Sequence, residues 1–141
     1  MSLPPQKFRE IVFQIIYSAD FPTPDTEATA LMLMGELKVT KKSVCQAGER
    51  ASEVASKLPE IDAKISAAST EYSFDRISRV EKAILRLGLY EMLYDPSIPP
   101  LVVIAEAIRL TRKFGTPESA QFVNAILDRI YKEISVTLAP V

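Results

Sequence analysis

The chain has 141 residues, with 17 lysines and arginines against 18 aspartates and glutamates; that is one domain's length, enough to bury a core without disulfide or metal staples, and too little positive charge for a protein that lives on RNA alone. With no histidine, one cysteine (Cys45) and four glycines outside any GxGxxG or GxxxxGK spacing, the composition excludes the commonest general base, a thiolate zinc site, an intramolecular disulfide and a phosphate-cradling loop. The first residues, MSLPPQKFRE, have no signal-peptide character and no stretch has the length of a membrane span, so a cytoplasmic protein is expected.

Pro4 and Pro5 can open a helix, because the first turn leaves backbone N–H groups without intrahelical partners in any case. From Pro5 to about Asp20, the residues Phe8, Ile11, Val12, Ile15 and Ile16 recur at three- and four-residue spacing, with Phe13 and Tyr17 on a second face. That spacing predicts a helix packed on more than one side. FPTPD, residues 21–25, breaks the chain and restarts it, with Thr23 or Pro24 near the cap, and a second helix follows to about Leu37. Thr40 is the expected N-cap of a third helix from Lys41 to about Lys57. Pro59 opens a fourth, with Ile61 and Ile65 one turn apart.

Ser78 to Tyr94 carries the clearest apolar stripe, Val80, Ile84 and Leu87 thickened by Leu85, Leu89, Met92 and Leu93. Pro96, Pro99 and Pro100 end that helix and start the next, Pro100 to Phe114, with Gly115 as the expected C-cap. Thr116, Pro117 and Glu118 restart the chain into a last helix bearing Phe122, Val123, Ile126, Leu127 and Ile130, with a frayed tail after Ile134. The fold class is therefore all-α: about seven helices, no strand and no repeat, in one compact bundle over residues 1–141 that admits two helical subbundles.

Three segments, in this order and with these gaps, resemble the NusB family: Arg76 to Met92 (RISRVEKAILRLGLYEM), Ile98 to Gly115 (IPPLVVIAEAIRLTRKFG) and Ser119 to Asp128 (SAQFVNAILD). Lys7-Phe-Arg-Glu with Gln14 and Tyr17 resembles the family's first helix. The resemblance implies two packed three-helix subbundles. It implies binding to the single-stranded boxA element of nascent RNA, pairing with NusE (a ribosomal small-subunit protein), and an antitermination complex in which RNA polymerase reads through terminators. With no histidine and no acid/base pair or nucleophile partnered at interpretable spacing, no enzymatic activity and no cofactor are expected.

Carried onto this chain, the resemblance makes Lys7 and Arg9 phosphate contacts, since clustered cations release counterions. Pro5 and Gln6 stand where the family often has arginine, which leaves a depleted patch; a solvated helix start is the plain alternative. Phe122 is a candidate ring for base stacking, with Gln121 for a base edge and Glu118 at the rim; a core phenylalanine is the alternative. Gln14 and Tyr17 lie one turn apart beyond Arg9 as further RNA contacts, or as boundary residues of the bundle. Glu81 and Arg86 are candidate contacts for the basic partner NusE, set against an ordinary solvated face.

Asn124 is expected to make an inter-helix hydrogen bond, and Cys45 to be a small buried packing residue. Ala105 stands where the family has asparagine, so a buried hydrogen bond is expected to be missing or replaced there. Glu106, Arg109 and Arg112 are expected to form surface pairs along their helix. Self-association through the first helix stays open. Two other functions compete with the antitermination factor. One is a protein-only helical adaptor. The other is a NusB-type RNA-binding module of an RNA methyltransferase, which would need a further C-terminal domain.

Overall fold

The structure is a computed structural model, and it describes residues 3–22 and 26–138. The cap expected at Thr23 or Pro24 lies outside the described residues. Seven α-helices and one short 3-10 turn make up the regular structure of the described residues, arranged as two compact units, residues 1–56 and residues 57–141.

The first unit holds α1 (Pro5–Ala19), α2 (Thr26–Leu37) and α3 (Lys41–Ala55), each packed against the other two. Pro5 stands at the start of α1, as its missing N–H allows. The Thr40 hydroxyl oxygen caps α3 by accepting the Ser43 backbone N–H at 3.1 Å. Its core combines Ile11, Val12 and Phe13 of α1 with Leu33 of α2 and Val44, Ala47, Ala51 and Val54 of α3. The small residues of α3 face inward at three- and four-residue spacing and let α1 approach closely. Cys45 falls between them on the outer side and is exposed, not buried. It follows Val44, and neighbouring positions on a helix point about 100° apart.

The second unit holds α4 (Leu58–Ala68), the 3-10 turn Phe74–Arg76, α5 (Arg79–Tyr94), α6 (Pro100–Phe114) and α7 (Pro117–Leu138). It therefore has four helices, one more than the subbundle the resemblance implied. Helix α5 is its centre: it contacts α4, α6 and α7, and every residue from Ala83 to Glu91 is buried. Ser78 starts α5 with a complete capping box, its hydroxyl accepting the Glu81 N–H while the Glu81 carboxylate accepts the Ser78 N–H, both at 3.1 Å. Each fully buried leucine or isoleucine here, such as Ile84, Leu89, Leu110 or Leu127, is worth roughly 1.5–3 kcal/mol of transfer free energy.

Gly115 ends α6 as expected, but not through a left-handed turn: its φ is −119°. The need for glycine is steric, since a Cβ would lie 3.0 Å from the Thr111 carbonyl oxygen and 3.3 Å from Thr111 Cγ2. Buried Thr111 satisfies its own hydroxyl by donating to the Ala107 carbonyl at 2.6 Å. The expected fraying after Ile134 is not seen, and α7 continues to Leu138.

Candidate nucleic-acid interface

In the second unit, the first turns of α7 bring three of the predicted residues onto one face. Thr116 caps the helix, its Oγ1 accepting the Ser119 N–H at 3.1 Å. Glu118, Gln121 and Phe122 follow at positions i, i+3 and i+4, the spacing that makes helix neighbours. Glu118 and Gln121 are exposed and Phe122 is half-buried. Phe122 is thus neither a core ring nor a free one. It meets Tyr72 edge to face, with centroids 5.5 Å apart and planes at 71°. Tyr72 comes from the segment between α4 and the 3-10 turn, which no periodicity marks in the sequence, and it is 50% exposed.

In the first unit, Lys7, Arg9, Gln14 and Tyr17 all lie on α1 and are all partly exposed. They do not form one patch. Residues two apart on a helix point in nearly opposite directions, so Lys7 and Arg9 diverge, whereas Lys7 and Gln14, seven apart, share a line. Tyr17 is held in an aromatic ladder, stacked near Phe13 at 6.1 Å and edge-on to Phe21 at 5.2 Å. This ladder fixes the ring and leaves the residue at the boundary of the unit.

The pair expected at a partner surface divides. Glu81 is half-exposed and serves the α5 capping box. The motif Ser78-x-x-Glu81 is the sequence signature of that box and could have been read directly. Arg86 is not on a solvated face: it is 9% exposed. Its Nε donates to Asp62 Oδ1 at 2.9 Å and its Nη2 to Asp62 Oδ2 at 3.0 Å. Its guanidinium also lies 5.8 Å from the Phe74 ring, which Lys82 approaches to 4.6 Å. Arg86 is therefore an internal tie between α5 and α4, and the sequence carries no local sign of it.

Three further expectations are corrected. Asn124 is exposed on α7, with no inter-helix bond among the described residues. Ala105 is exposed as well, and among the described residues no buried side-chain nitrogen or oxygen lacks a hydrogen-bond partner, so no polar tie is missing there. Glu106 does pair with Arg109, at 2.9 Å, but Glu106 is 8% exposed and the pair sits at the edge of the core instead of the open surface.

Among the described residues no helix is long and apolar enough to cross a membrane, and no three or more His, Cys, Asp or Glu side chains are grouped to hold a metal ion. A helical chain whose candidate site is a polar and aromatic helix face has the build of a binding module.

Comparison with known proteins places that module. The NusB family model matches residues 6–132, and so spans both units. The transcription antitermination protein NusB of Chlamydia pneumoniae is 38% identical over 133 residues, covering 94% of this chain and 83% of that protein. That of Geobacter sp. (strain M21) is 38% identical over 135 residues, covering 90% and 93%. Among solved structures, T. maritima NusB superposes with a TM-score of 0.80 at 33% identity, covering 94% of each chain. NusB in a crystal structure of NusB and NusE with double-stranded RNA gives 0.76 at 26% identity, covering 91% of this chain and 96% of that one. The chain belongs to the NusB family.

Proposed function

We propose that the chain is a non-enzymatic, cytoplasmic transcription antitermination factor. In this reading it binds boxA-like single-stranded RNA jointly with NusE, in a complex that lets RNA polymerase read through terminators, and residues 1–141 act as one RNA-binding module. The observation that carries the reading is the start of α7, where Glu118 and Gln121 are exposed and the ring of Phe122 is half-buried against Tyr72. A ring offered beside polar side chains is the arrangement that single-stranded RNA recognition uses, one group for stacking and one for base edges. Family membership supports it, because the relatives are named antitermination proteins and one structural neighbour is in complex with NusE and RNA.

The charge balance supports sharing the RNA with a partner. At a net charge of −1 the chain supplies little phosphate neutralisation, and a basic ribosomal protein supplies the rest. Lys7 and Arg9, with Gln14 and Tyr17, are the proposed contacts of the first unit. Glu81 is the proposed acidic contact for NusE. Arg86 serves that helix indirectly, by tying α5 to α4.

Fluorescence anisotropy of a labelled boxA RNA, with and without NusE and over a salt series, tests the proposal. Binding that is weak alone and much tighter with NusE is expected. A folded protein that binds no RNA in either case is instead a protein-only adaptor.

A further inference from the structure

We propose that Tyr72 is a second base-stacking residue, forming with Phe122 a two-ring platform for adjacent bases of single-stranded RNA. The proposal rests on the reading that the first turns of α7 bind RNA, and it adds to that surface a residue from a different part of the chain.

Two aromatic residues flank Ser73 in the segment after α4, and the structure uses them differently. Phe74 is half-buried and covered by cations, Lys82 at 4.6 Å and Arg86 at 5.8 Å from its centroid. It anchors the segment, together with Ile77 at 3% exposure. Tyr72 is 50% exposed and, among the described residues, meets one ring, that of Phe122. In an edge-to-face pair, the ring that contributes its edge keeps both faces and the other keeps one. The Tyr72–Phe122 pair therefore leaves ring faces that the two rings do not cover for each other, at a place where Tyr72 is 50% exposed.

The backbone that carries Tyr72 is held. The Ser69 hydroxyl donates to the Tyr72 carbonyl at 2.5 Å, and the Arg76 N–H donates to the Ser73 carbonyl at 2.9 Å. The end of α4 is tied to α7 by Arg129, which donates to the Ala68 carbonyl. A ring placed in advance loses little freedom when a base stacks on it.

The surroundings favour RNA over an apolar protein partner. Gln121, beside Phe122, offers an amide that can pair with a base edge. Arg129 lies seven residues beyond Phe122, on the same side of α7, and is exposed. Its tie to Ala68 uses one of five guanidinium donors, which leaves a cation for a phosphate.

The chain contains no tryptophan, so Tyr72→Trp creates a single indole at the proposed contact. Titration of the full-length variants with a single-stranded boxA RNA, alone and with NusE, tests the proposal. Tyr72→Ala is expected to bind about tenfold more weakly with an unchanged salt slope, because stacking releases no counterions. Tyr72→Trp is expected to retain affinity and to lose fluorescence as RNA is added. Wild-type affinity in Tyr72→Ala, or RNA binding by Tyr72→Trp without quenching, overturns the proposal. If Tyr72→Ala does not fold, the Tyr72→Trp quenching decides by itself. If Phe122→Ala weakens binding and Tyr72→Ala does not, the proposal falls while the RNA reading of α7 stands. If the wild type binds no RNA even with NusE, both fall.

Discussion

The guanidinium of Arg86 meets the carboxylate of Asp62 through two parallel hydrogen bonds, 2.9 and 3.0 Å long, and so joins the central helix α5 to α4. The arginine side chain is 10% exposed and the aspartate 27%. Removing one partner from such a pair strands a poorly solvated charge. Asp62→Ala is expected to destabilise the chain by about 2–3 kcal/mol in urea unfolding. The double variant Asp62→Leu with Arg86→Met is expected to recover most of that, because it leaves no charge behind. A double variant no more stable than Asp62→Ala would assign the loss to packing.

The capping box at the start of α5 separates a structural role of Glu81 from a partner role. Ser78→Ala removes the hydroxyl that accepts the Glu81 N–H and is expected to cost about 1 kcal/mol, with unchanged affinity for NusE. Glu81→Ala is expected to cost a similar amount and, in addition, to weaken NusE binding. Equal NusE affinity in both variants would reduce Glu81 to a cap.

Phe122→Ala is expected to weaken RNA binding by roughly tenfold. Because the ring is half-buried against Tyr72, the expected stability loss is about 1–2 kcal/mol, well below the ~3–5 kcal/mol of a core phenylalanine. Thermal unfolding together with anisotropy checks both halves. A loss of several kcal/mol with unchanged RNA affinity would return Phe122 to the core.

Lys7→Ala combined with Arg9→Ala is expected to lower RNA affinity to the same degree for boxA and unrelated sequences. It should also flatten the dependence of log K on log salt by about one to two. The two side chains diverge around α1, so the single variants are expected to be unequal, with the larger effect marking the side that faces phosphate. Unchanged affinity at low salt would remove this helix start from the interface.

Gly88 lies in α5 between α6 and α7, where a Cβ would meet Leu127 and Val103 at 3.5 Å, an ordinary van der Waals distance. Alanine fits that space and restricts the unfolded chain more than glycine does. Gly88→Ala is expected to raise stability by about 0.5–1 kcal/mol, measured as a higher urea midpoint with the same slope. A lower midpoint would show that α6 and α7 cannot yield.

By itself the sequence determined the helices, because the forces that start and stop a helix act within a few residues. Pro5, Thr40, Ser78 and Pro117 mark starts that the structure keeps, and the three- and four-residue apolar spacing marks what lies between. Glu118, Gln121 and Phe122 were candidates only through the resemblance, because the apolar spacing alone reads Phe122 as core. What only the tertiary structure decided are the relations between residues far apart in the chain. Arg86 reads as a surface charge until Asp62, 24 residues earlier, is folded against it. Cys45 reads as buried, Asn124 as one side of an inter-helix hydrogen bond and Ala105 as the site of a lost polar tie, until packing leaves all three outside. Tyr72 carries no periodic signal, and it becomes part of a site only because its segment is laid beside α7. Local hydrogen bonding and steric preference are written in neighbouring residues, whereas burial depends on which helices meet, and that is settled when the whole chain shares its apolar surface.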